Sequence, residues 1–154
     1  MAIWQYHFYI LPAKCVANLA DEQLYTIFEE GQYVENFWAE SGMLRYAFNE
    51  MNSILPAQKS WCATIDQYGN LESNCFEISY NKSRIEDISF RIKFTDNFDD
   101  LLASIIEFCD ENNLTILGER YTKLPQELES IKAIIFKSSN ATTYQKLSTR
   151  NNNL

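Results

Sequence analysis

Cys75-Phe76-Glu77-Ile78-Ser79-Tyr80-Asn81-Lys82-Ser83-Arg84-Ile85-Glu86-Asp87-Ile88-Ser89-Phe90-Arg91-Ile92-Lys93-Phe94 is the stretch that decides the fold. Phe76, Ile78 and Tyr80 fall on one side of an extended chain, and Glu77 and Ser79 on the other. A period of two marks a strand with one buried face, because successive Cβ atoms point to opposite sides of the pleat. Asn81-Lys82-Ser83 supplies a tight turn. The return run keeps the alternation, with Ile88, Phe90, Ile92 and Phe94 inward and Ser89, Arg91 and Lys93 outward. Two such runs around a short polar turn make an antiparallel hairpin.

The rest of the chain is read outward from this hairpin. Trp61–Tyr68 reads as the preceding strand, ended by a Tyr68-Gly69-Asn70 turn, so that 61–94 forms a meander. Residues 2–11 read as another strand. Trp4, Tyr6, Phe8 and Ile10 share one face, and Ile3, Gln5, His7 and Tyr9 the other. Two partly apolar faces suit a central strand covered on both sides. Leu114–Leu117 is a short strand before Gly118. Asp21 is placed to cap a helix carrying Leu24, Ile27 and Phe28, which Gly31 stops. Tyr33, Val34, Phe37 and Trp38 have helical spacing, but Ser41-Gly42 breaks the run, so 32–42 stays ambiguous. Leu44, Ala47, Phe48, Met51, Ile54 and Leu55 recur at three and four, which predicts an amphipathic helix over Met43–Leu55, ended by Pro56. A further helix opens at Asp96-Asn97 and runs to about Asn112 on Phe98, Leu101, Leu102, Ile105, Phe108 and Cys109. Pro125 opens the last helix, which buries Leu128, Ile131, Ile135 and Phe136, and the chain after Ser138 is polar. The expected architecture is one α+β domain over residues 1–150: a curved antiparallel sheet of about five strands with helices packed mainly on one face. Residues 151–154 are expected to be a disordered tail.

A chain of 154 residues with 46% hydrophobic and 22% charged residues can bury a core without staples. No stretch approaches the roughly 20 apolar residues that span a bilayer. The apolar Met1–Leu11 lacks a basic leader and a small-residue cleavage site, so a cytoplasmic location and reduced cysteines (Cys15, Cys62, Cys75, Cys109) are expected. His7 is the single histidine, so any Ser-His-Asp arrangement depends on it alone. Glu77, Arg91 and Lys93 lie on the outward hairpin face and could join His7 in a polar cluster, although a half-buried histidine beside a cross-strand ion pair accounts for the same pattern. Phosphate-loop, dinucleotide, zinc-protease and nucleophile-elbow patterns are missing from the sequence. Asp96, Asp99 and Asp100 do not have the spacing of a calcium loop and read as the acidic first turn of a helix. Neither a catalytic centre, nor a metal site, nor a cofactor is expected.

The charge is uneven. The net charge is −8, but residues 1–119 carry 19 acids and 7 bases, whereas residues 120–154 carry 2 acids and 6 bases. Residues 96–119 hold Asp96, Asp99, Asp100, Glu107, Asp110, Glu111 and Glu119 and no base. Such a surface repels phosphate backbones, which argues against nucleic acid, and it steers a basic protein toward it. Asp110 and Glu111 oppose the dipole at their helix end, so a role other than helix stability is expected for them. A second acidic segment surrounds aromatic residues, with Glu29, Glu30, Glu35 and Glu40 around Tyr33, Phe37 and Trp38. The expected partner-binding residues are Glu30, Glu35, Trp38, Asp96, Asp99, Asp100, Glu107, Asp110 and Glu111.

The opening Met1-Ala2-Ile3-Trp4-Gln5-Tyr6, Ser60-Trp61 after a helix-ending proline, Ile85-Glu86-Asp87-Ile88-Ser89-Phe90-Arg91-Ile92 and the acidic helix that follows occur in an order that resembles a group of small bacterial proteins. The group includes immunity proteins encoded beside contact-dependent growth-inhibition and other polymorphic toxins. The resemblance spans roughly residues 1–137 and is carried by structural motifs. It implies a protein without chemistry of its own that binds and neutralises a cognate toxin domain, often a basic nuclease. The alternative is a non-enzymatic binding or self-associating regulatory module, and a homodimer stays open under either reading.

Overall fold

The structure, a computed structural model, describes residues 2–31 and 34–153. Six strands form one antiparallel sheet in the order β2-β3-β4-β5-β1-β6. They are β1 (Gln5–Pro12), β2 (Ala57–Gln58), β3 (Ile65–Gly69), β4 (Cys75–Asn81), β5 (Arg84–Lys93) and β6 (Leu114–Leu117). The helices are α1 (Ala13–Val16), α2 (Asp21–Glu29), α3 (Val34–Ser41), α4 (Asp99–Glu111), α5 (Leu128–Lys137) and α6 (Ser139–Asn152). A 3-10 helix spans Arg45–Ser53.

The hairpin forms as expected and sets the register of the sheet. Phe76 pairs with Phe90, and Phe90 with Phe8. These rings stack across three strands at 4.4 and 6.1 Å between centroids. The alternation breaks once. Ser79 pairs with Asp87 but Tyr80 with Ile85, so Glu86 is an extra residue on β5. This bulge resets the period, which sends Ile85 into the core and leaves Glu86 exposed.

β1 is central, as expected. It pairs with β5 over Gln5–Tyr9 and with β6 over Tyr9–Pro12. Beyond Tyr9 the strands β1 and β5 part, and α3 packs against both. The face bearing Phe8, Phe76 and Phe90 is covered by Phe48 and Met51 of the 3-10 helix, Leu102 and Ile105 of α4, Ile131 and Ile135 of α5, and Ala141 of α6. On the opposite face, Val16 of α1 and Leu24 of α2 form a smaller cluster with Leu11 and Leu117, against which Tyr9 and Phe28 pack. Helices therefore lie mainly on one face.

Several expected elements differ. Trp61–Tyr68 is a strand only from Ile65, and Trp61 is 69% exposed. Within the expected Met43–Leu55 helix only Arg45–Ser53 is helical, and it is a 3-10 helix: Leu44 makes a β-bridge with Arg84, and Arg45 is held by two hydrogen bonds to Asp66 (2.9 and 2.6 Å). Those contacts fix the first turn and leave Leu44 exposed. Ala20, not Asp21, is the N-cap of α2. Gln23 Oε1 accepts the Ala20 N–H (2.8 Å), and Asp21 Oδ1 accepts the Lys123 N–H instead (3.1 Å). Phe136 is exposed although its ring meets Phe98. The polar chain after Ser138 is helical through Asn152, capped by Ser138 Oγ accepting from Ala141 N–H. All four cysteines are free thiols. Tyr33 and Leu154 lie outside the described residues.

Candidate functional site

The base-free segment folds as α4 and its flanks, and the structure separates its acids by what they touch. Asp96 pairs with Lys93 (3.1 Å), and Asp99 with Lys132 of α5 (3.0 Å). Asp110 accepts a hydrogen bond from Gln126 Nε2, whose Oε1 accepts the Ile116 N–H on the outer edge of β6 (3.1 Å). Asp110 thus has a structural role, orienting the amide that closes an open strand edge. Asp100, Glu107 and Glu111 are exposed and make no ion pair or side-chain hydrogen bond among the described residues. They are spaced at seven and four, which at 3.6 residues per turn places them within an arc of about 40° and over about 16 Å of α4. The buried stripe of Leu102, Ile105, Ile106, Phe108 and Cys109 fixes the opposite side of the helix against the sheet.

The second acidic segment does not join this stripe. Leu24 of α2 packs with Leu11 and Leu117 on one face of the sheet, whereas Leu102 and Ile105 of α4 pack with Phe8 and Phe90 on the other. Glu30 and Glu35 are exposed on the α2–α3 side, and Glu35 borders a 200 Å³ depression beside Arg84 and Glu86. Trp38, expected in the partner surface, is not on the surface at all. It is 1% exposed with its ring edge-on to Phe48, so it is a core residue and offers no contact surface. Its helical spacing with Val34 reflects burial rather than binding.

The polar side of the sheet brings His7 and the outward hairpin residues together. His7 is opposite Arg91, and Arg91 opposite Cys75. Arg91 Nη2 donates to Glu77 Oε1 (3.0 Å), and the Trp61 indole N–H donates to Glu77 Oε2 (3.2 Å). The carbonyls of Leu71 and Ser73 accept from Gln5 Nε2 (2.8 and 2.6 Å), which fixes the 70–74 loop over this row. The His7 ring stacks on Tyr9 at 4.8 Å. Lys93 turns away to Asp96. Burial first, and then Arg91, lowers the His7 pKa to about 4, so its imidazole is neutral near pH 7. Burial pushes the Cys75 thiol up to about 12, so it stays protonated and is a poor nucleophile. His7 Nε2, Arg91 Nε and Glu119 Oε1 are buried without a hydrogen-bond partner among the described residues.

Among the described residues, no three His, Cys, Asp or Glu side chains are grouped so as to hold a metal ion, and no helix is long and apolar enough to cross a membrane. No family model, curated protein or solved structure matches the chain. Sequence reasoning missed Trp61 as a surface residue, Glu119 as a partly buried acid and Tyr121 as a ring stacked on Phe28 (4.1 Å between centroids). The Ser60-Trp61 step carried no periodicity to place its ring, and nothing local to Tyr121 signals its left-handed backbone (φ +59°).

Proposed function

We propose that the chain is a stoichiometric protein inhibitor of the immunity type, which neutralises a basic, cognate toxin domain by binding it. The observation that carries this reading is the α4 stripe of Asp100, Glu107 and Glu111: three exposed, unpaired carboxylates in a segment without a base. Unpaired rim carboxylates contribute little to folding stability. They do raise the rate at which a positively charged partner arrives, by factors of 10 to 1,000 at low salt, and this gain fades within a Debye length of about 8 Å at physiological ionic strength. The self-associating module kept as the alternative would need no such one-signed surface.

The test is the triple neutralisation Asp100→Asn, Glu107→Gln, Glu111→Gln. The wild-type chain is expected to co-purify with the product of the adjacent gene and to protect cells that express it. The triple variant is expected to stay folded by circular dichroism while its association rate drops at least about tenfold at low salt and loses most of its salt dependence. An unchanged rate and salt slope would remove the stripe from the interface. A chain that purifies only with itself, and protects nothing, would overturn the inhibitor reading.

A further inference from the structure

On the face of the sheet opposite the core layer, α2 and the turn after β6 enclose a groove of about 670 Å³. Two hydrogen bonds tie its walls together: Lys123 N–H donates to Asp21 Oδ1 (3.1 Å) and Lys123 Nζ to the Leu19 carbonyl (2.7 Å). The turn closes on itself, with Tyr121 N–H donating to the Gly118 carbonyl and Gly118 N–H to the Thr122 carbonyl, both at 2.9 Å. The Tyr121 ring lies flat on Phe28 (4.1 Å between centroids, 3° between planes), flanked by Tyr9 at 4.8 Å and Tyr25 at 6.2 Å. Tyr25 is 47% exposed. The groove is therefore an aromatic floor held in one conformation from below.

Its walls are acidic. Glu22 and Glu29 stand on the α2 side, and Glu119 and Arg120 on the turn side, so carboxylates outnumber the single base. Glu119 Oε1 is buried without a partner among the described residues. Aromatic faces attract cations, and a guanidinium can stack on a ring while it donates two parallel hydrogen bonds to a carboxylate, which an ammonium cannot do.

We propose that this groove receives an arginine side chain of a protein partner, stacked on Tyr25 and Tyr121 and paired with Glu119. The proposal rests on the basic partner of the preceding section and adds to it a second contact and its chemistry.

The test uses three capped tripeptides, Gly-Arg-Gly, Gly-Lys-Gly and Gly-Gln-Gly, titrated into the full chain and followed by NMR at the rings of Tyr25 and Tyr121 and the amides of 118–122. The arginine peptide is expected to give saturable shifts confined to these signals. The lysine peptide should bind more weakly and the glutamine peptide should give no shift. Glu119→Gln, which keeps an acceptor, and Tyr25→Ala, at an exposed position, should each weaken binding about tenfold without unfolding the chain. Shifts that spread equally over α4, or Glu119→Gln and Tyr25→Ala variants that titrate like the wild type, would overturn the groove. The α4 triple variant should bind the peptide normally. If that variant also keeps its normal association with the adjacent gene product while the peptide still binds here, the α4 reading fails and the groove stands.

Discussion

Gly69→Ala tests how firmly the loop over the polar face is built. Gly69 ends β3 with φ +83°, and a Cβ there would lie 2.2 Å from the Asn74 carbonyl oxygen and 3.3 Å from Leu55 Cδ2. The left-handed backbone alone costs an L-residue about 1–2 kcal/mol. The clash is with a backbone atom, so relief requires moving the 70–74 loop. That loop is closed by Asn70 N–H donating to the Asn74 carbonyl (2.9 Å), and its Leu71 and Ser73 carbonyls hold Gln5. Losing two such bonds at about 1 kcal/mol each brings the total to about 3–4 kcal/mol. For a chain of this size that is a fall in midpoint of roughly 6–16 °C. Gly42→Ala is the control. Gly42 has φ +72° and nothing within 4 Å of the added Cβ, so only the backbone cost of about 1–2 kcal/mol applies. Thermal and urea unfolding followed by circular dichroism measure both variants. Equal losses at the two positions would refute the reasoning, because they would show that the loop yields freely and does not fix the row beneath it.

Three further outcomes are expected. Trp38→Ala should lower stability by about 3–5 kcal/mol in urea titration, and Trp38→Phe by much less, since Phe keeps an aromatic ring and removes an indole N–H that has no partner among the described residues; neither should alter partner affinity per folded molecule. The folded pKa of His7, about 4, lies below its unfolded value near 6.5, so its contribution to stability is complete above pH 6.5 and is lost as pH falls toward 4. The buried carboxyls of Asp87 and Glu119, shifted upward, act with the opposite sign over an overlapping range, so the measurement is the difference between wild type and His7→Gln, which should shrink on acidification across that window. Glu111→Gln should raise the thermal midpoint slightly, because an acid at the C-terminal end of α4 opposes the helix dipole by about 0.3–1 kcal/mol, while it weakens the association proposed above.

Period-two and period-3.6 patterns placed the hairpin and α4, because each buries one face and the burial is written into its spacing, whereas the two apolar faces of residues 2–11 marked an interior strand. Such patterns say which side of an element is apolar but not what another element brings to the opposite side. Phe37 and Trp38 illustrate this. Their spacing fits a helix, but only the packing of α3 on β1 and β5, with Phe48 edge-on to the indole, decides that Trp38 is core. The 3-10 helix at Arg45–Ser53 was illegible for a similar reason, since its geometry follows from Asp66 and Arg84, both remote in sequence. The candidate site was half legible. The acidic content of α4 can be read directly, whereas the separation of Asp96, Asp99 and Asp110 from Asp100, Glu107 and Glu111 depends on Lys93, Lys132 and Gln126. The Glu77–Arg91 pair beside His7 was foreseeable from strand parity alone, and its link to Trp61 was not.

The two acidic features lie on opposite faces of the sheet, yet both adjoin β6: α4 packs against that strand, and the turn that carries Glu119 and Tyr121 leaves its end. One partner could reach both only by straddling the β6 edge. That edge is already occupied, because Leu124 N–H donates to the Ile116 carbonyl and Gln126 Oε1 accepts the Ile116 N–H (3.0 and 3.1 Å). Strand addition, the common way to extend a sheet with a partner chain, is therefore blocked on this side. A partner arriving here must be held by side chains, through exposed carboxylates on one flank and an aromatic groove on the other. Contacts of that kind depend strongly on salt. The α4 flank should lose most of its effect as ionic strength rises, while the partly buried groove retains more of its own. A partner whose affinity did not change between low and high salt would place the interface elsewhere on the molecule.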